Sequence, residues 1–258
     1  LDKYESKTPG RLHHNAKMAT MIQAVDDGVG RIVTKLEELG LTNQTAIVFF
    51  SDNGGYGPAT DMAPLKGYKG AYYEGGIREP FFVKWPGVVE AGTINETHII
   101  GVDLYPTFLE MTGATAKDGQ VQDGLNLVPL FKGGTFSERS LFWHFPAYLQ
   151  SYGGKGPFEQ RDPLFRSRPV GVVRHGDWKL MEFFESGDLE LYNLKQDIGE
   201  SRNLADAHPE TLRKLHGIMK EWRQKTGAPI PSDRNPSFDP VAEKQAIEKA
   251  LALRKSFP

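Results

Sequence analysis

The stretch Thr45-Ala46-Ile47-Val48-Phe49-Phe50-Ser51-Asp52-Asn53-Gly54-Gly55 constrains this chain more than any other. Residues 46–51 run apolar to a small polar end with no polar/apolar alternation. That pattern predicts a central strand of a parallel sheet, buried on both faces. In an open α/β sheet the ligand crevice lies beyond the carboxyl ends of the strands, so Asp52 and Asn53 are delivered to a candidate site. The two glycines after them let the backbone turn sharply and be approached closely. An aspartate beside an asparagine offers one charged and one neutral oxygen donor, a set that suits Ca²⁺ or Mg²⁺ better than a soft metal. Asp-Asn-Gly is also an ordinary way to end a strand. On this stretch alone both readings stand.

The segment before the strand is strongly periodic. Asn15 is a good N-cap, and Met18, Met21, Ile22, Val25, Val29, Ile32, Val33, Leu36 and Leu39 recur at helical spacing until Gly40. Helix, short link and strand make half of a βαβ unit, hence the parallel sheet. No strand precedes the helix, and the sheet is expected to begin before Leu1. The loop 54–80 is long enough to be functional. Strands are expected at 81–85 and 98–101, and a helix capped by Asp103 at 103–111. Residues 114–137 are rich in Gly, Asp and Lys, with one helical turn at 127–131. Apolar stretches at 140–145, 170–174, 178–184 and 189–194, separated by tight turns, predict an antiparallel sheet. A helix over 209–226 opens on Pro209, and a final helix is expected near 241–254. The expected division is an α/β part over 1–136, a small α+β part over 137–226 and an extended tail over 227–258.

A chain of 258 residues can bury a substantial core as one large domain or two small ones. Its formal charge of −2 leaves no basic excess for a nucleic-acid platform. No apolar run reaches transmembrane length. The chain has no cysteine, which excludes disulfides, cysteine-ligated zinc and a cysteine nucleophile within these residues.

Several blocks together resemble the sulfatase family of the alkaline-phosphatase-like superfamily. They are Ala24-Val25-Asp26-Asp27-Gly28-Val29-Gly30-Arg31, Ser51-Asp52-Asn53-Gly54-Gly55, Pro64-Leu65-Lys66-Gly67-Tyr68-Lys69-Gly70, Tyr73-Glu74-Gly75-Gly76-Ile77-Arg78-Glu79-Pro80 and Trp85-Pro86-Gly87. Asp103-Leu104-Tyr105-Pro106-Thr107, Arg174-His175-Gly176-Asp177-Trp178-Lys179-Leu180 and Glu190-Leu191-Tyr192-Asn193-Leu194 extend the likeness. The resemblance implies an alkaline-phosphatase-like α/β sheet flanked by helices, followed by a smaller α+β subdomain. It implies that Asp52 and Asn53 are ligands of an active-site Ca²⁺, and that Lys69 binds the sulfate group and offsets its charge. Members cleave sulfate esters with a formylglycine made from Cys or Ser in a Cys/Ser-x-Pro-x-Arg motif.

Here the chain departs from the family pattern. Its one Pro-x-Arg is Pro9-Gly10-Arg11, which puts Lys7 in the nucleophile's place. The family's paired acids and His-x-Pro are absent too, and by family layout all three are expected before Leu1. The resemblance therefore implies the C-terminal portion of a sulfatase; a degenerate metal- or carbohydrate-binding relative is the alternative. A phosphatase or phosphodiesterase of the superfamily would carry histidine, a zinc ligand, where Asn53 stands. His13, His14, Lys66 and His144 are further candidates to line the substrate side. Glu74 and Arg78 are read as pairing with each other or bracing the loop. The expected substrate is a sulfated small molecule or carbohydrate, selected through Trp143, His144, Tyr148 and the Gly-rich loop 153–156. The resemblance suggests a periplasmic or secreted setting.

Overall fold

The computed structural model describes residues 1–152, 161–233 and 235–255. Helices α1 (Asp2–Glu5) and α2 (Ala16–Glu38) lead into strand β1 (Ile47–Phe50), then α3 (Glu74–Ile77), β2 (Phe81–Lys84), α4 (Leu104–Thr112) and α5 (Val128–Phe131). Strands β3 (Ser140–Phe145), β4 (Leu149–Gln150), β5 (Phe165–Ser167), β6 (Val170–His175), β7 (Trp178–Phe183) and β8 (Leu189–Asn193) follow, and α6 (Pro209–Thr226) and α7 (Pro240–Lys255) close the chain. The fold is mixed α/β with antiparallel sheets and a C-terminal helix. It divides into two compact units. One comprises Leu1–Ala19, Asn53–Arg78 and Arg139–Pro258, the other Thr20–Asp52 and Glu79–Glu138.

The first unit is built on a four-stranded antiparallel sheet in the order β3-β6-β7-β8. Gly176 and Gly187, at φ +55° and +73°, turn the two hairpins in a backbone region that glycine enters freely. Both faces of this sheet are covered, which explains why its strands read as continuous apolar runs. Val170, Val172, Met181 and Phe183 pack with Ala71, Tyr73, Tyr192 and Leu194. Val173, Leu180 and Leu191 pack with Leu215 and Met219 of α6. Helix α6 starts on Pro209, stops at Gly227 (φ +64°), and stacks Trp222 on Phe142 with ring centroids 4.7 Å apart. The segment carrying Ala71 and Tyr73 is therefore part of the sheet's core. Strands β4 and β5 had no counterpart in the sequence reading. They are two and three residues long and show no apolar run.

Asn15 and Gly40 bound α2, most of which belongs to the second unit, as expected. Asn15 Oδ1 accepts the Met18 N–H at 2.9 Å, and Gly40 takes φ +68°. Strand β1 pairs antiparallel with β2, from Ile47↔Lys84 to Phe50↔Phe81. The expectation of a parallel neighbour and of burial on both faces is thus corrected for these residues. The partner is the strand that returns after the 54–80 loop, and among the described residues no other strand joins this sheet. Phe49 and Phe50 remain 38% and 43% exposed. The strand expected at 98–101 is also absent, because Gly101–Asp103 form a 3₁₀ turn. Asp103 sits at the N-cap of α4, but its carboxylate accepts from the Ile100 and Leu125 backbone N–H groups at 2.9 and 2.8 Å. It ties the 125–127 segment down instead of capping its own helix. Among the described residues no helix is long and apolar enough to cross a membrane.

Candidate functional site

In the first unit the long loop is an ordered, tightly wound structure held by its glycines. The Gly54 N–H donates to Gly76 O at 3.0 Å, Gly75 N–H to Lys66 O at 2.8 Å, and Lys69 N–H to Gly55 O at 3.0 Å. A Cβ on Gly54 would meet Gly75 O at 1.9 Å, and one on Gly75 would meet Gly67 O at 2.3 Å. Backbone lies against backbone there, so only glycine fits.

What anchors this loop is charge. Glu74, at the start of α3, is fully buried, and its carboxylate lies 3.1 Å from Lys179 Nζ, 3.3 Å from Arg174 Nη1 and 3.5 Å from Arg78 Nη1. Lys179 reaches the equally buried Glu200 at 2.8 Å, and Glu200 Oε2 accepts the Glu74 N–H at 2.6 Å. Burial would push the Glu74 carboxyl up, but Lys179 and Arg174 hold it below the usual carboxylate range. Burial pushes Glu200 up in spite of Lys179. Arg174 and Lys179 face each other in the β6–β7 register, so the sheet presents two cations to one carboxylate. Bracing by Glu74 and Arg78 was legible in the sequence; the roles of Lys179 and Glu200, more than 100 positions away, were not.

The candidate residues lie as follows. Lys69 is exposed, on a turn completed by Gly70 at φ +93°. Its backbone carbonyl accepts from Arg166 Nη1 at 3.3 Å. Asn53 is half-buried, with its side-chain amide donating to Gly54 O at 3.3 Å. Lys66 points into the unit, 3.4 Å from Tyr192 Oη, 3.3 Å from Glu200 O and 4.0 Å from the Tyr73 ring centre. Burial holds its ammonium below the usual lysine value. His13 and His14 are exposed ahead of α2. His144 lies on β3 with Nε2 2.7 Å from Pro229 O and its ring against Phe184 and Trp222. Tyr148 packs on Phe165 at 5.2 Å, and Trp143 packs against the core. The loop 153–156 lies outside the described residues.

In the second unit, Asp52 lies two residues beyond the end of β1 and is exposed. The Ser51 N–H continues the ladder to Pro80 O at 3.4 Å, which brings Glu79 alongside. Burial pushes the Glu79 carboxyl up to about 7, the Ser51 hydrogen bond opposes this, and the Asp52 charge adds to it. One Glu79 oxygen is buried with no hydrogen-bond partner. An orphaned carboxylate oxygen close to a second carboxylate favours a nearby cation. The sequence signal for Glu79 was present in Arg78-Glu79-Pro80 but gave no sign of burial. Asp52 and Asn53 suit a hard cation in donor type, though Ca²⁺ takes six to eight oxygens. Among the described residues no three His, Asp or Glu side chains gather into a metal cage.

Comparison with known proteins is consistent along the chain. A family model described as Sulfatase matches residues 2–114, and one described as N-sulphoglucosamine sulphohydrolase, C-terminal, matches residues 68–225. A protein of Formosa agariphila named Sulfatase is 32% identical over 264 residues, which take in 93% of this chain and 45% of that relative. Human arylsulfatase A is 30% identical over 228 residues, 77% of this chain and 41% of the relative. The crystal structure of Ps i-CgsB in complex with k-i-k-neocarrahexaose aligns with a TM-score of 0.68 at 26% identity, over 97% of this chain and 51% of that one. The chain spans about half the length of these relatives, or somewhat less.

Proposed function

Because this chain belongs to the sulfatase family of the alkaline-phosphatase-like superfamily, we propose that the protein hydrolyses a sulfate ester, with Lys69 as the sulfate-binding cation. The observation that carries this reading is the setting of Lys69. Its ammonium is exposed and has no acidic partner among the described residues, while its backbone is fixed on both sides by Gly55 and Arg166. A cation held ready without a counter-ion is what an anionic transition state requires, because no existing ion pair must be broken to use it.

Asp52 and Asn53 would hold the Ca²⁺ of such a site, with Mg²⁺ as the alternative hard cation. When bound, the ion supplies fixed positive charge at the sulfuryl oxygens. The rest of its ligand set and a formylglycine nucleophile are assigned to residues other than these. The 258 residues contain no Cys/Ser-x-Pro-x-Arg, and by themselves they are expected to give no turnover. The saccharide bound to Ps i-CgsB supports a carbohydrate sulfate as the substrate class.

Activity is tested on the full-length polypeptide that contains this chain, with 4-nitrophenyl sulfate and 4-nitrophenyl phosphate compared before and after chelation. Sulfate hydrolysis that falls on chelation and returns with Ca²⁺ is expected. Preference for the phosphate ester, or turnover by the 258 residues alone, would overturn the reading.

A further inference from the structure

We infer that Arg166 is a specificity residue, binding a second anionic group on a saccharide whose first sulfate is held by Lys69. This deepens the sulfatase reading and rests on it. Both residues belong to the same compact unit.

The guanidinium of Arg166 is fixed by three hydrogen bonds, all to neutral acceptors. Nε donates to Gln150 O at 2.8 Å, and Nη1 donates to Tyr152 Oη at 2.6 Å and to Lys69 O at 3.3 Å. It lies 4.1 Å from the centre of the Tyr152 ring, which is stacked on Tyr68 at 5.6 Å and meets Tyr56 edge-on at 4.9 Å. Arg161 and Arg168, close by in sequence, are neutralised. Arg161 pairs with Asp188 and Glu190, and Arg168 with Asp162, Glu185 and Glu243. Arg166 has no carboxylate partner among the described residues, and neither does Lys69.

Of the five N–H donors of an arginine, the three bonds use three. Both hydrogens on Nη2 are left without a partner among the described residues. A planar cation locked at Nε and Nη1, with both Nη2 hydrogens still to donate, is pre-organised for an anionic oxygen and loses little side-chain entropy on binding. Its bond to the Lys69 carbonyl places it on the turn that carries the sulfate-binding cation. Tyr56, 47% exposed and edge-on to Tyr152, leaves ring surface open to the apolar face of a sugar. A ligand bearing one sulfate would use Lys69; one bearing a further sulfate or carboxylate would use both residues.

The test is calorimetric binding on the full-length polypeptide, which requires no turnover. Parent, Arg166→Met and Arg166→Lys are titrated with inorganic sulfate, a monosulfated disaccharide and the same disaccharide with a second sulfate. The second sulfate is expected to tighten binding by about tenfold or more in the parent, the scale of a charge-assisted contact. The gain vanishes in Arg166→Met, survives in part in Arg166→Lys, and inorganic sulfate binds equally to all three. No gain in the parent would overturn the inference. So would equal weakening of all three ligands in Arg166→Met, which is what loss of a mere brace for the Lys69 turn would produce. Hydrolysis of 4-nitrophenyl sulfate is measured separately, so failure of the sulfatase reading shows there and failure of the Arg166 assignment shows in the titrations.

Discussion

Lys179 Nζ lies 3.1 Å from Glu74 Oε1, with both side chains sealed from solvent, so a strand of the antiparallel sheet is tied directly to the loop that carries Lys69. Glu200 completes the group at 2.8 Å from the same ammonium. Removing the cation leaves the buried Glu200 carboxylate beside that of Glu74, which keeps Arg174 and Arg78. Lys179→Met is therefore expected to lower stability at pH 7.5 by about 3–5 kcal/mol in urea unfolding. The deficit should shrink at pH 5.5, because Glu200, whose pKa burial already raises, takes up a proton in the folded state. A loss that does not change with pH would mean that packing of the lysine stem, not its charge, is what matters.

The other face of the sheet carries a pair whose contribution is lost only at lower pH. Burial raises the Glu182 pKa, but Arg223 at 2.5 Å and His216 at 3.1 Å outweigh it and hold the carboxyl below the usual glutamate value. A depressed folded pKa contributes stability above the unfolded value of about 4.5, and this is lost as pH falls through the folded one. Glu182→Gln should cost about 1.5–3 kcal/mol near pH 7, the range for a hydrogen bond to a charged group. Parent and variant should converge as pH drops below 4. Parallel unfolding curves down to pH 3 would count against the pair.

Glycine substitutions separate the wound loop from the rest of the chain. Gly75→Ala forces a methyl to within 2.3 Å of Gly67 O, a backbone atom that cannot swing aside. About 1–3 kcal/mol or more of destabilisation is expected, together with faster proteolysis of the 66–78 segment. Gly30→Ala is the contrast. Nothing lies within 4 Å of its Cβ position on α2, and the helix should gain about 0.5–1 kcal/mol. Thermal midpoints of the two variants should move in opposite directions.

How much of this was legible depends on range along the chain. The edges of β3, β6, β7, β8 and α6 follow from local patterns: apolar runs closed by Gly176 and Gly187, and a helical stripe that starts at Pro209 and ends before Gly227. The glycine-rich blocks around Asp52 and Lys69 were visible for the same reason. What stayed hidden is long-range. Nothing near Glu74 announces Lys179 or Glu200, and nothing near Lys69 announces Arg166, because polar contacts between distant positions carry no periodicity. Lys66 and Lys69 look alike in sequence, yet one is drawn under the Tyr73 ring and the other is left in solvent. The β1 run reads as buried on both faces, but in these residues it has one antiparallel partner and an exposed phenylalanine pair.

That contrast between the two lysines gives a test in which stability and activity separate. The Lys69 ammonium has no side-chain partner among the described residues, so Lys69→Ala should leave the thermal midpoint of the full-length protein within about 1 °C, as expected for an exposed side chain free of contacts. If it is the cation that stabilises the sulfate, turnover of an aryl sulfate should fall by about 10²–10³-fold, the scale of one lost electrostatic donor at a transition state. Lys66→Ala should do the reverse. It removes the Lys66 hydrogen bonds to Tyr192 Oη and Glu200 O, and should cost stability first, with activity following only as the loop loosens. Assaying both variants for midpoint and kcat/KM decides the matter. A large activity loss in Lys66→Ala without a shift in midpoint, beside an active Lys69→Ala, would transfer the sulfate-binding role from one lysine to the other.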